Sequence, residues 1–269
     1  MIKAMHARLA DKDISLAGVA AAETLNQTAP AGFRPEDMLA DARSVVICAK
    51  PLPLSVFETP RNNGLYSFYT SAFHTYYQAT NEAVNTLCLM LEDAGHQALP
   101  IPAYSPLKFH NGEPRGLVSL KHAAVAAGLG KMGKNTLLIH PQAGNILRLG
   151  GLITTMELPV DGPAEFPRLC PENCRRCLDA CPVGALSPDG IDKMKCMGNC
   201  IEHTLMPPQW ILSILGWSVR HSRFMTRLMD LLTLSFFGSY GVSCFACLTA
   251  CPHFPGNRGT NKAAADQFS

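Results

Sequence analysis

Cysteines are the residues of this sequence that could most clearly do chemistry: nine of the 11 lie between residues 170 and 251. Two segments, residues 174–182 and 244–252, repeat one pattern, Cys-x2-Cys-x3-Cys-Pro. This spacing wraps a short loop around a cubane iron–sulfur cluster, and the Cys before Pro ligates the other cluster of a two-cluster pair. The repeat therefore predicts two 4Fe-4S clusters with crossed ligation, whose chemistry is electron transfer.

The crossed pattern assigns four cysteines to each cluster. The ligands predicted for the first cluster are Cys170, Cys174, Cys177 and Cys251. Those predicted for the second cluster are Cys181, Cys196, Cys244 and Cys247, with Cys200 as the alternative to Cys196. Structural zinc is the competing interpretation, since four-cysteine zinc sites use similar spacings. Zinc sites need neither crossed pairs nor Cys-Pro, so the pattern favours the clusters.

The two remaining cysteines, the N-terminal residues and the charge balance indicate the compartment and the kinds of partner that the protein could have. Cys48 and Cys88 stand apart in apolar surroundings and are predicted to be core residues. Residues 1–9 show no signal-peptide pattern, and thiols kept as ligands are typical of a reducing compartment. We therefore expect a cytoplasmic protein. With 23 Lys+Arg against 21 Asp+Glu, no global charge favours nucleic acid or an anionic membrane.

The elements that must position these cysteines belong to a globular chain. Its 269 residues are 47% hydrophobic and 16% charged, which excludes disorder, collagen-like repeats and coiled coil. Strand and helix patterns alternate from residue 13 to about 160, which predicts one α/β or α+β layer structure. A cluster of Pro, Gly and acidic residues at 159–167 then marks a boundary. We predict a first domain at 1–160 and a cysteine-rich domain at 161–269.

Hydrophobic patterning predicts the elements of the first domain. Residues 44–49 are a β-branched run stopped by Pro51, which is typical of a buried strand. The other predicted elements are a helix at 66–94, an edge strand at 97–101, a long loop at 103–118, a helix at 121–127, and central strands at 136–139 and 151–158.

An apolar helical stretch at 209–238 separates the two halves of the cysteine pattern. Charged residues, among them Arg220, Arg223 and Asp230, interrupt it, so its uncharged pieces are too short for a transmembrane span. The pattern favours an amphipathic helix pair that covers the rest of the domain over an interfacial membrane contact. We therefore expect no membrane contact through residues 209–238.

A glycine motif, Gly128-Leu-Gly-Lys-Met-Gly133, precedes the cysteines and matches G-x-G-x-x-G literally. A dinucleotide fingerprint needs a strand before the motif and a helix after it, and here the predicted order is the reverse. The related phosphate-binding loop would need Ser or Thr where Asn135 stands. The glycines instead indicate backbone running close to another group, with Lys134 and Asn135 available as donors.

The sequence around this motif resembles a known family. Residues 127–138 read AGLGKMGKNTLL and are similar to the AGLGWIGKNTLL segment of the epoxyqueuosine reductases. Those enzymes are cobalamin-dependent, modify transfer RNA and are related to the reductive dehalogenases. Phe73-His74, the run at 149–154 and the crossed cysteine motifs follow in the family's order. The resemblance extends from about residue 13 to residue 255.

The resemblance implies an α+β fold in which a nitroreductase-like, cobalamin-binding domain precedes a ferredoxin-like domain with two 4Fe-4S clusters. Electrons would pass from a soluble donor such as ferredoxin or flavodoxin through the clusters to cobalamin, for reduction of a small molecule or a modified nucleoside. The residues that would line the corrin or its tail are Gly128, Gly130, Gly133, Lys134, Asn135 and Thr136. A tight turn holding a sheet edge is the alternative role of these residues.

The sequence also departs from the family. The family's catalytic Asp lies shortly before the glycine motif, whereas residues 108–116 contain no Asp, and His110 and Glu113 are the candidate acids there. Many relatives continue beyond the cysteines into a helical-repeat domain that helps to bind transfer RNA, and the stretch at 209–238 is longer than expected. These departures weigh against transfer RNA as the substrate. Two alternatives stay open: an electron carrier without its own catalytic cofactor, and a flavin-dependent reductase.

Overall fold

The computed structural model describes residues 1–58, 68–104, 107–202, 209–236, 241–242 and 244–257. Its strands are β1 (Leu16–Ala21), β2 (Ser44–Pro51), β3 (Ala98–Ile101), β4 (Leu107–His110), β5 (Glu113–Gly116), β6 (Lys131–Met132), β7 (Leu138–Ile139), β8 (Leu147–Thr154), β9 (Leu186–Ser187), β10 (Gly190–Ile191), β11 (Ile201–Glu202) and β12 (Gly241–Val242). Its α-helices are α1 (Ile2–Ala10), α2 (Ala22–Thr28), α3 (Pro35–Met38), α4 (Phe68–Asp93), α5 (Leu120–Ala126), α6 (Arg176–Asp179), α7 (Lys193–Cys200), α8 (Gln209–His221), α9 (Arg223–Phe236) and α10 (Ala246–Thr249).

The central layer is a sheet with strand order β1-β2-β8-β3, in which neighbouring strands run antiparallel. Successive side chains of β2 point to opposite faces of this sheet. Val45 and Ile47 pack with α5 on one face, and Val46 and Cys48 pack with α1 and α4 on the other. Because helices cover both faces, β2 and β8 are buried along most of their length. The mixed α+β fold agrees with the sequence prediction.

Several elements lie where the sequence predicts them. The run at 44–49 forms the buried part of β2, and the long helix is α4. Residues 66–67, at the start of the predicted helix, lie outside the described residues. The strand predicted at 97–101 is β3, at the edge of the sheet. Cys48 and Cys88 are core residues, 1% and 5% exposed.

The prediction of a long loop at 103–118 is wrong for most of the residues that the structure describes there. Strands β4 and β5 pair there as a hairpin in which His110 lies opposite Glu113. Asn111 and Gly112 form its turn, with φ of 52° and 77°. Asn-Gly is the strongest local signal for such a turn, because both central residues need a positive φ. Residues 105–106 of the predicted loop lie outside the described residues.

Two predicted central strands need correction. At 136–139 only Leu138–Ile139 is extended, as β7, and it pairs with β6 outside the main sheet. The strand predicted at 151–158 is central, but it spans Leu147–Thr154 as β8. The pattern missed its beginning because Arg148 interrupts the apolar run.

The cysteine-rich part of the chain consists of short elements. The stretch predicted as a helix pair forms α8, which packs on α7, and α9, which packs on β4. Its other face leaves Trp210, Ile214, Trp217 and Phe224 exposed. Residues 237–238 of this stretch lie outside the described residues. Within the described ranges, no helix is long and apolar enough to cross a membrane.

The division of the chain at residue 160 stays a prediction. A small apolar cluster of Ile139, Leu169 and Cys251 joins residues from both sides of that position. Side chains of the glycine motif also reach the cysteine loops, as described below. The two predicted domains therefore share an extensive contact.

Candidate metal centre

The first predicted group of thiols is brought together from two distant segments. Burial, then Cys170 and Cys174, raises the pKa of the Cys177 thiol. Burial also raises the pKa of Cys251 to about 11, with further contributions from Cys177, Cys170 and Cys174. Thiols influence one another in this way only when they lie close together. Cys251, from the second repeat, also packs with Leu169, the residue before Cys170, and helix α10 contacts helix α6, so the two repeats lie near each other.

The second predicted group shows the same mutual influence. Burial, then Cys244 and Cys181, raises the pKa of Cys196 to about 11. Burial, then Cys196 and Cys244, raises the pKa of Cys247 to about 12, and Cys181 contributes as well. Cys181, from the first repeat, and Cys247, from the second, also pack against one apolar cluster, that of Cys177 and Leu178.

Cys200 belongs to the same group, but its thiol forms a hydrogen bond to the backbone. Its thiol donates a hydrogen bond to the carbonyl oxygen of Cys244 at 3.5 Å. Burial raises its pKa to about 12, with contributions from Cys196 and Cys244. Cys196 interacts with thiols of both repeats, Cys181 and Cys244. Cys196 as the eighth ligand, with Cys200 as the alternative, stays a prediction.

The donor chemistry of both groups fits an iron–sulfur cluster. Crowded thiols that raise one another's pKa can all ionise only when a bound cation offsets their charge, and thiolates are the usual ligands of iron–sulfur cubanes. The backbone N–H of Ala185 donates to Sγ of Cys181 at 3.2 Å, and such a bond stabilises an anionic sulfur. Among the described His, Cys, Asp and Glu side chains, no three lie close enough together to hold a single metal ion.

Lys134 and Asn135 of the glycine motif bind the cysteine loops. The ammonium of Lys134 donates to the carbonyl oxygens of Pro171 at 3.1 Å and Cys174 at 3.0 Å, and also to that of Glu172. Nδ2 of Asn135 donates to the carbonyl oxygen of Cys247 at 3.2 Å. One motif therefore braces the loop of the first thiol group and the loop of the second. The role of Lys134 and Asn135 in binding a corrin stays a prediction. In this structure, their donor groups already form hydrogen bonds within the chain.

The glycines and Thr136 shape a tight passage of backbone. Gly130 has a φ of 149°, and a Cβ there would collide with the carbonyl oxygen of Ile139. Gly128 has a φ of 75°, and Thr136 one of 57°. At Gly133, a Cβ would lie 2.7 Å from Oδ1 of Asn135. A helix, α5, precedes the motif and the short strands β6 and β7 follow, so the context of a dinucleotide site is missing within these residues.

The two candidate acids lie on the β4–β5 hairpin. Glu113 Oε2 lies 3.1 Å from Nζ of Lys193, and 3.8 Å from a guanidinium nitrogen of Arg115. The ring of His110 packs edge-on against Phe33, with 5.4 Å between ring centroids. Glu113 is thus paired with two cations, one of them on α7. The catalytic role of both residues stays a prediction.

Sequence reasoning missed two cations close to the second thiol group. Nζ of Lys121 donates to the carbonyl oxygen of Thr136 at 2.7 Å. Burial, then Lys193, lowers the pKa of Lys121, and Cys196 and Cys247 oppose that shift. Arg148 is only 6% exposed and lies on the central strand β8. A charged residue inside an apolar strand was the signal that could have identified Arg148.

Comparison with known proteins gives no match to any protein-family model. Curated sequences do match, over part of their length. An epoxyqueuosine reductase of Synechococcus sp. (strain RCC307) is 48% identical over 96 residues, which are 35% of this chain and 28% of that protein. That of Gloeobacter violaceus is 43% identical over 83 residues, 30% of this chain and 25% of that protein. The matches thus cover about a quarter of these relatives.

Solved structures match over most of the chain. The epoxyqueuosine reductase of Streptococcus thermophilus superposes with a TM-score of 0.61 at 19% identity, covering 94% of this chain and 66% of that one. A reductive dehalogenase superposes with a TM-score of 0.58 at 17% identity, covering 86% of this chain and 33% of that one. The fold is therefore the one shared by epoxyqueuosine reductases and reductive dehalogenases. The partial sequence matches, at 37–48% identity, are all to curated epoxyqueuosine reductases, so this part of the chain is similar to those proteins.

Proposed function

We propose that the chain is an iron–sulfur reductase that passes electrons from a soluble donor, such as a ferredoxin or flavodoxin, through two 4Fe-4S clusters to a reductive reaction. The observation that carries this proposal is the crossed grouping of thiols. Cys170, Cys174 and Cys177 contribute to the raised pKa of Cys251, and both Cys181 and Cys244 contribute to that of Cys196, which supports the crossing. Crossed pairs are the arrangement of two neighbouring clusters.

The chain's own residues would hold the clusters in place and exclude water. When bound, the clusters supply one-electron transfer. Cys177 and Cys251 are 7% and 8% exposed, which limits the access of water to the first group. Cys247 packs against the apolar cluster that contains Cys177, which supports neighbouring sites for the two clusters. Lys134 and Asn135 fix the loops that carry the thiols.

Replacing Cys251 by Ser tests the crossed ligation. We expect the first cluster to be lost or altered, with iron falling from about eight to about four atoms per chain. Cys200→Ser is the matched control, because it removes a thiol of the second group that is predicted only as the alternative to Cys196. It should leave the iron content unchanged. Iron analysis with Mössbauer and EPR spectroscopy provides the measurement, and loss of the second cluster in Cys251→Ser would disprove the crossing.

We propose cobalamin as the electron acceptor on the basis of family similarity, since one structural neighbour is described in relation to B12-dependent dehalogenation. The polar groups of Lys134 and Asn135, bound to the cysteine loops, add no support for a corrin at the glycine motif. Because these groups already bind the cysteine loops, they favour the second candidate, an electron carrier without its own catalytic cofactor. A flavin is the third candidate.

Anaerobic reconstitution followed by cobalamin titration separates these candidates. Tight binding with a shift of the corrin bands to the base-off form is the result expected for a corrinoid reductase. Intact clusters with no corrinoid binding would favour the electron carrier. A flavin spectrum in the protein as isolated would favour the third candidate.

Epoxyqueuosine-modified RNA is the first substrate to test, with a small molecule or another modified nucleoside as the alternative. One structural neighbour, an epoxyqueuosine reductase, is seen with an epoxyqueuosine-modified stem loop of tRNA-Tyr. This chain spans 66% of the length of that protein. Conversion of such a stem loop by the reconstituted protein, measured by nucleoside mass spectrometry, would establish this substrate. Cobalamin binding without conversion would exclude it.

A further inference from the structure

Arg148 is a cation buried among aromatic rings. Its guanidinium carbon lies 5.7 Å from the ring centroid of Tyr69, 5.0 Å from that of Phe73 and 5.7 Å from that of Tyr77. One terminal nitrogen donates to the Tyr69 hydroxyl at 2.7 Å, and the other donates to the carbonyl oxygen of Leu147 at 3.2 Å. The side chain is therefore fixed in one position.

None of the described side chains supplies an ionised partner for this cation. No carboxylate with a described side chain forms an ion pair with Arg148, and its buried Nε has no hydrogen-bond acceptor among them. A guanidinium stays charged at any pH that a protein tolerates. Burying an uncompensated charge is costly, and rings and neutral oxygens offset only part of that cost. A compensating anion is therefore expected close to Arg148.

Three contacts connect Arg148 to the second thiol group. The ring of Tyr69 packs at 5.0 Å on that of Phe245, the residue after Cys244. Thr70 exchanges hydrogen bonds of 3.0 Å with the backbone of Val242, two residues before Cys244. Cys200, whose thiol donates to the Cys244 carbonyl oxygen, packs against the apolar cluster that contains Tyr69 and Phe73.

We propose that Arg148 is the counter-cation of the second cluster and raises its reduction potential, which makes this cluster the stronger electron acceptor of the two. This inference rests on the proposed function, since it assumes that both clusters are present. A cubane held by four thiolates is an anion, and accepting one electron from the donor adds one negative charge. A fixed cation in surroundings of low dielectric stabilises the reduced form more than the oxidised form.

The test is a redox titration of reconstituted wild-type, Arg148→Met, Arg148→Gln and Arg148→Lys proteins, followed by EPR. In the two neutral variants, we expect the reduction equilibrium of the second cluster to move at least about tenfold toward the oxidised form, which is about 59 mV for one electron. The first cluster should keep its potential. Arg148→Lys keeps the charge and should stay within about threefold of the wild type.

Cys251→Ser protein, which should lack the first cluster, identifies the signal of the second. Arg148→Met and Arg148→Gln differ in shape and polarity. If one of them does not fold, the reduction potential can still be measured in the other. An unchanged second potential in a neutral variant with about eight irons would overturn the inference. If Arg148→Lys lowers the reduction potential of the second cluster as much as the neutral variants do, the inference is also overturned, because the role of Arg148 would then be structural. A wild-type chain that assembles no clusters would instead contradict the proposed function.

Discussion

Among single residues, Lys134 has the strongest link to one thiol group. Its ammonium donates to three carbonyl oxygens of the loop at Pro171, Glu172 and Cys174. Hydrogen bonds to a charged group contribute roughly 1.5–3 kcal/mol each, less where water reaches them. These bonds hold the loop in the shape that presents Cys170, Cys174 and Cys177 together.

Replacing Lys134 by Met should loosen this loop, because three carbonyl oxygens lose their common donor. We expect the first cluster to be retained poorly, with iron falling toward about four atoms per chain while the second cluster persists. The control is Lys131→Met, since Lys131 belongs to the same motif but is exposed. Iron content after gel filtration is the measurement. Equal iron in both variants would contradict this role of Lys134.

The same residues show what sequence can and cannot predict about a site. The repeated Cys-x2-Cys-x3-Cys-Pro pattern predicted which thiols should meet, because a local loop and one crossed ligand define the arrangement. The partners of Lys134 and Asn135 lie 37–40 and 112 residues away, so no local pattern contains them. Arg148 did have a local signal, a charge inside an apolar strand, but its burial depends on α4 packing over β8.

Among the elements, the turn after α5 depends on one glycine. Gly130 combines a φ of 149° with a backbone so close to Ile139 that no side chain fits. Gly130→Ala should lower the free energy of unfolding by about 3 kcal/mol or more, since strain and a backbone collision add. Gly95→Ala is the matched control, with a φ of 85° and open space around its Cβ position, and should cost only about 1–2 kcal/mol.

Urea unfolding of the reconstituted proteins measures both changes. A Gly130→Ala protein that unfolds at the same urea concentration as Gly95→Ala would show that the close approach does not limit this turn. The strain argument would then account for both substitutions equally well.

Elements with a continuous apolar pattern were predicted well, and the short ones were not. Strand β2 and helix α4 bury long runs, so hydrophobicity alone reveals them. The β4–β5 hairpin alternates little, and its signal is the Asn111-Gly112 turn rather than its strands. Strand β7 extends over only two residues, the two that pair with β6. The apolar pattern at 136–139 predicted a longer strand.

Across the whole molecule, the apolar core is unevenly distributed. The largest fully buried side chains of the described residues all lie between Met5 and Ile153. Apart from α8 and α9, the described elements of the cysteine-rich part are short helices and two-residue strands around its thiols. A part with so little core generally depends on metal–thiolate bonds for its stability. The central sheet, covered by helices on both faces, does not have that requirement.

Omitting iron and sulfide during reconstitution should therefore affect the two parts differently. In hydrogen exchange followed by mass spectrometry, we expect amides of α6, α7 and α10 to exchange at least about tenfold faster without clusters, while those of β2 and β8 change little. Reconstitution with Zn²⁺ alone is the control for the structural-zinc alternative and should not restore protection. Full protection with Zn²⁺ would support zinc sites, and loss of protection in β2 would show that the sheet itself depends on the metal centre.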